Sequence, residues 1–146
     1  MTSEELLELI ADVTKHQCEL DDVEVKAAQK GTPQRLYETL SAFANRTGGG
    51  VLLFGLNEDK DFEVCGVGDA HKLQEEISNL SNEMQPPLRP EFTVEQIEDK
   101  TVVAVEVNEI AAEQKPCFYK RSPIHFGTGN YLYCYSACAL LRCRSV

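Results

Sequence analysis

No apolar run in the 146 residues reaches the ~18 needed to cross a bilayer, so no membrane association is expected. No basic segment precedes the first apolar residues either. MTSEELLELI is acidic, which argues against a secretory signal and for a cytoplasmic chain with reduced thiols. The six cysteines form no C-x-x-C pair. Cys134, Cys138 and Cys143 crowd near the end, but their spacing fits no zinc pattern and no nearby histidine completes a set. They read as buried or incidental thiols. His16, His71 and His125 fall in no catalytic motif, and no sharp turn nominates a nucleophile, so Ser/His/Asp and Cys/His catalysis find no support. Positive charge is scarce as well: 14 Lys and Arg face 24 Asp and Glu, for a net −10. The balance is −5 over residues 1–30, −9 over 31–112 and +4 over 113–146. An acidic body with a basic end is not the usual footprint of a free-standing DNA binder.

What is present suffices for one domain with a real core, since 42% of the residues are hydrophobic. Residues 3–13 carry Leu6, Leu7 and Ile10 at helical spacing behind Ser3. Residues 23–28 alternate as a strand with one wet face. Thr32 and Pro33 open a helix whose stripe is Leu36, Leu40, Phe43 and Ala44. GVLLFGL at 50–56 is apolar on both faces, as a central strand would be, and FEVCGV at 62–67 returns beside it as a hairpin. Asp69 caps a helix with Leu73, Ile77, Leu80 and Met84 buried, and Pro86-Pro87 stops it. Strands at 92–97 and 101–107 flank a tight turn, and 117–120 and 130–135 are further strand candidates. The expected class is α+β: a mixed, mostly antiparallel sheet with about three helices packed on it. The expected organisation is an N-terminal helix at 1–14, a domain at 15–135 and a Cys-rich tail at 136–146.

Gly48-Gly49-Gly50 invites a phosphate-loop reading. Such a loop runs from a strand into a helix, so that free N–H groups and the positive helix end meet the phosphate. Here a helix ends and a strand begins, and neither G-x-x-x-x-G-K-[ST] nor G-x-G-x-x-G is present. The expected role is structural, with Asn45 or a glycine left-handed at the helix end.

VEVK at 23–26, SAFANRTGG at 41–49, LLFGL at 52–56 and VCGV at 64–67 together resemble the Schlafen/AlbA-type domain, as do MQPPLRP at 84–90 and KPCFYK at 115–120. The resemblance covers roughly residues 15–121. It implies a DNA-binding module of the kind that stands at the N-terminus of bacterial transcriptional regulators and RecG-like ATP-dependent helicases, followed there by an ATPase-like region and a winged helix. This chain reads as such an N-terminal module or fragment. It departs from the family after Lys120, where Gly129-Asn130-Tyr131-Leu132 stands for the usual G-S-Y-I strand and the following arginine and glycine-aspartate are missing.

Three functional expectations follow. The first is binding of DNA or RNA, with Lys26, Lys30, Arg35, Arg46, Lys115, Lys120 and Arg121 as phosphate contacts and Tyr119 for base stacking. A homodimer would bring the basic ends together. No cofactor is needed. The second expectation, implied by the resemblance, is a metal-dependent endoribonuclease. Glu19 and Glu24 have the E-x-x-x-x-E spacing, and Glu58 stands at the third acidic position, where together they would hold Mg²⁺ or Mn²⁺. The third is a non-catalytic oligomerisation module.

Overall fold

A computed structural model describes residues 1–119. The expected strand at 130–135, Lys120, Arg121, His125 and the Cys134–Cys143 group lie outside the described residues.

The element order is α1 (Ser3–His16), β1 (Val23–Lys26), α2 (Leu36–Asn45), β2 (Gly50–Phe54), β3 (Leu56–Asn57), β4 (Glu63–Val64), α3 (Ala70–Asn82), β5 (Met84–Gln85), β6 (Glu91–Ile97), β7 (Lys100–Val107) and β8 (Phe118–Tyr119). Four strands form the main sheet in the order β1-β2-β7-β6. Among the described residues, only the β1–β2 pair is parallel. β3–β4 and β5–β8 are separate antiparallel two-strand pairs. The α+β expectation is what the chain adopts, with three α-helices and mostly antiparallel pairing among the described residues.

The sheet is covered on both faces because β2 is apolar on both. Leu52 and Phe54 point to one side, with Leu36, Leu40 and Phe43 of α2 and Leu73 and Ile77 of α3. Leu53 points to the other, where Val23 and Val25 of β1 meet Leu6, Ile10 and Val13 of α1. Leu6, Leu40, Phe43, Leu52, Leu53 and Phe54 are all fully buried. Each such side chain contributes about 1.5–3 kcal/mol of transfer free energy.

Several local expectations shift. α1 is capped by Thr2, not Ser3: the Thr2 hydroxyl accepts from the Glu5 N–H, and Glu5 returns a carboxylate to the Thr2 N–H. Its buried stripe is Leu6, Ile10 and Val13, and Leu7 is exposed. α2 begins at Leu36, after Arg35 in a left-handed conformation without a side-chain cap, so Thr32 and Pro33 belong to the preceding loop. Met84 leaves the helix and opens β5, though it remains buried. The 50–67 hairpin is broken at Gly55 (φ +106°). β2 therefore pairs with β1 and β7, and only the short β3 and β4 pair locally.

Candidate nucleic-acid interface

The glycines lie where the helix hands over to the central strand. Gly48 and Gly49 take the left-handed conformation, and Asn45 stays helical. A Cβ on Gly49 would lie 2.1 Å from the Val107 carbonyl, and one on Gly50 2.3 Å from the Phe43 ring. The glycines thus let α2, β2 and β7 close on one another. An anion does sit on the loop, but it is internal. The Glu109 carboxylate accepts from the Gly48 N–H (3.0 Å) and from Lys115 Nζ (2.6 Å), and Lys115 first, then Gly48, holds its pKa below the usual carboxylate range. Arg46 donates to the Gly49 carbonyl (3.1 Å). Arg46 and Lys115 are therefore both tied to this hinge.

Asn45 has a role the sequence did not disclose. Its Nδ2 donates to the carbonyls of Ser41 (2.8 Å) and Cys117 (3.0 Å), and its Oδ1 accepts from the Cys117 N–H (2.8 Å). The Ser41 hydroxyl also donates to the Cys117 carbonyl (2.7 Å). The two polar residues of SAFAN thus clasp the segment that leads into β8. Beside that clasp, the Tyr119 ring stacks on Tyr37 at a centroid distance of 4.6 Å and an interplanar angle of 17°. The Tyr119 hydroxyl donates to Glu83 (3.0 Å). One face of Tyr119 is thus already covered by Tyr37, a partner hidden in the sequence because it falls among the helical residues of α2.

Next to this pair is an open pocket of about 330 Å³, lined by Thr32, Pro33, Arg35, Tyr37, Leu80 and Tyr119 among others. Its rim is the β1–α2 loop, and that loop with the end of β1 carries a local run of positive charge. Lys26, Lys30 and Arg35 follow one another with no acidic residue between Glu24 and Glu38. Lys30 is exposed and has no ion-pair partner among the described residues. Arg35 is exposed and pairs with Glu38. Lys26 is partly exposed and pairs with Glu24 (2.7 Å).

Of the three acidic residues of the nuclease expectation, Glu24 lies on β1 with Lys26, Glu19 precedes β1, and Glu58 follows β3. Glu19 Oε1 accepts from the Val25 N–H (2.9 Å), sealing the sheet edge. Burial raises the Glu19 pKa above its ordinary value; the Val25 hydrogen bond opposes the rise, and the charges of Glu58 and Glu24 add to it. Glu19 thus feels the charges of both other carboxylates. Among the described residues, however, no three His, Cys, Asp or Glu side chains come together closely enough to hold a metal ion.

The raised pKa has a testable sign. Folded Glu19 holds its proton more readily than unfolded Glu19, so its charged form weakens the fold at neutral pH, and the penalty is relieved as pH falls through the folded-state value. Glu19→Gln keeps an oxygen for Val25. It should melt higher than wild type at pH 7, with the gap closing below about pH 4, the ordinary carboxylate range. A gap independent of pH would rule out this origin.

No helix among the described residues is long and apolar enough to cross a membrane. A comparison with curated proteins returns no match. Among solved structures, the chain is similar to the N-terminal domain of an ATP-dependent DNA helicase RecG-related protein from Nitrosomonas europaea, solved by solution NMR. Identity is 28%, the TM-score is 0.65, and the match covers 82% of this chain and 83% of that one. A second likeness, to the DIP2311 protein from Corynebacterium diphtheriae, has a TM-score of 0.48 at 20% identity over 79% of this chain and 24% of that one. The family model described as Schlafen, AlbA_2 matches residues 19–131, well over half of the chain. The chain belongs to the Schlafen AlbA_2 family.

Proposed function

We propose that the chain is a nucleic-acid-binding module that engages a DNA or RNA strand along the β1–α2 loop and the adjoining tyrosine pocket. The observation that carries this reading is the likeness, over four fifths of both chains, to the N-terminal domain of a RecG-related DNA helicase protein. Local chemistry supports the place. Lys26, Lys30 and Arg35 offer a run of cations for phosphates, and the pocket beside Tyr37 and Tyr119 offers aromatic surface for a base. Lys120 and Arg121 follow Tyr119 in the sequence and are further candidate phosphate contacts. Arg46 and Lys115 play a secondary part, since the hinge already engages both.

In this reading the module needs no cofactor and works in the cytoplasm. It delivers a regulator or a helicase-related protein to nucleic acid, with an ATPase or winged-helix region as its companion. Fluorescence anisotropy with labelled single-stranded DNA, single-stranded RNA and duplex DNA tests it. Salt-sensitive binding is expected, and its absence with folded protein would overturn the reading.

A second reading, metal-dependent RNA cleavage, rests on the Glu19 carboxyl lying in the field of Glu58 and Glu24. Incubation of RNA with Mn²⁺ tests it: cleavage by wild type and equal cleavage by Glu24→Ala would reject these residues as its source.

A further inference from the structure

We infer that two copies of the chain associate edge to edge through β6, antiparallel, about a two-fold axis at Val94. The inference is independent of the nucleic-acid reading.

The main sheet has two edges, and the chain treats them differently. At β1 the outward amides are already used: the Val23 N–H donates to the Leu20 carbonyl (3.0 Å) and the Val25 N–H to Glu19 (2.9 Å). At β6 they are not. The β6–β7 turn has positive φ at both Glu98 (49°) and Asp99 (64°), a two-residue type I′ turn whose closing pair, Ile97–Lys100, is hydrogen-bonded. Alternation along the ladder then turns the N–H and C=O groups of Glu91, Thr93, Glu95 and Ile97 toward β7, and those of Phe92, Val94 and Gln96 outward. Among the described residues, nothing bonds to these three outward residues and no strand pairs beyond β6. A row of open amides is a template for another strand.

The occupant follows from register. A two-fold axis perpendicular to the sheet keeps opposed side chains on one face, so it must pass through a residue. At Thr93 it would set Glu91 against Glu95. At Glu95 it would set that carboxylate against its own copy. At Val94 it sets Val94 against itself, Phe92 against Gln96, Thr93 against Glu95 and Glu91 against Ile97, and no acid faces an acid. The same axis matches every outward residue with another outward residue. The result is about six new backbone hydrogen bonds, two for each hydrogen-bonded pair. Pro90, which has no N–H, ends the ladder on one side, and the turn ends it on the other. Val94 is the exposed apolar residue at the middle, 41% accessible. Glu95 and its mate lie diagonally at ~7–8 Å, so added salt should tighten the dimer, the opposite of its effect on phosphate contacts.

The test uses the full chain. Two Val94→Cys sites would face each other at a Cα separation of ~5.5 Å, within the ~4.4–6.8 Å that a disulfide spans. Two Gln96→Cys sites would be ~13 Å apart along the strand direction. Mild oxidation should link Val94→Cys into a dimer on a non-reducing gel, with Gln96→Cys and wild type at a common background from the native thiols. By light scattering, wild type should dimerise more strongly as salt rises. Val94→Lys, an exposed substitution that sets two ammonium groups face to face, should weaken association at least ~10-fold, with its melting curve unchanged at dilutions where both proteins are monomeric. A wild type that stays monomeric into the millimolar range, or Val94→Cys linkage no greater than Gln96→Cys, would overturn the proposal. So would a monomer that dimerises only when residues 120–146 are deleted, because the chain's own end would then be the occupant of the edge.

Discussion

Gly49→Ala should destabilise the protein by about 3 kcal/mol or more, a large fraction of the ~5–15 kcal/mol typical of a domain. Two effects act together. At φ +70° an alanine meets the left-handed penalty of ~1–2 kcal/mol. Its Cβ would also lie 2.1 Å from the Val107 carbonyl, so α2 and β7 must separate to admit it. Gly48→Ala isolates the first effect, since φ is +84° there and nothing lies within 4 Å of the added carbon. Urea denaturation of the two variants measures the difference. Equal losses would mean that the close approach to β7 does not limit residue 49.

Asn45→Ala should cost about 2–3 kcal/mol, because it withdraws the acceptor of the Cys117 N–H in a half-buried setting and one donor to the Cys117 carbonyl. Ser41→Ala should cost less, near 1 kcal/mol, since Asn45 continues to serve that carbonyl. The two side chains share the Cys117 carbonyl, so the double mutant should not be additive. The loss should also be local. Releasing Cys117 frees the strand that carries Tyr119, so the Tyr37–Tyr119 stack should loosen and nucleic-acid affinity should fall while α1 and β6 keep their hydrogen-exchange protection. Uniform loss of protection across the chain would contradict this.

These two residues show where the sequence is informative and where it is not. The SAFAN and glycine segments stand out as a pattern, and helix-then-strand order alone disqualifies a phosphate loop there. Their partners, Cys117 and Val107, are remote in sequence and carry no mark of the contact. The central strand was legible because GVLLFGL is apolar on both faces, and both faces are indeed covered. Its neighbours were not legible: β2 pairs with β1 and β7, while the adjacent 62–67 segment is cut off by the bend at Gly55. Helix starts shifted: at α1 the Thr2 capping box sets the start in place of Ser3, and at α2 the left-handed backbone at Arg35, without a side-chain cap, sets it in place of Thr32. At the candidate site, residue type indicated cations and acids. Only the folded chain separates the cations already engaged, Arg46 and Lys115, from Lys30 on the open loop, and places Glu19 on a backbone amide.

The most direct measurement is the salt dependence of single-strand binding by wild type and by the Lys30→Glu/Arg35→Glu double variant. Both residues are exposed, so the variant should fold as wild type does. If each cation neutralises one phosphate, the slope of log affinity against log salt should shrink by about 1.4 in the double variant, at ~0.7 per contact on a single strand. Affinity itself should fall at least ~10-fold at low salt. An unchanged slope and affinity in a folded double variant would contradict the placement of nucleic acid on the β1–α2 loop.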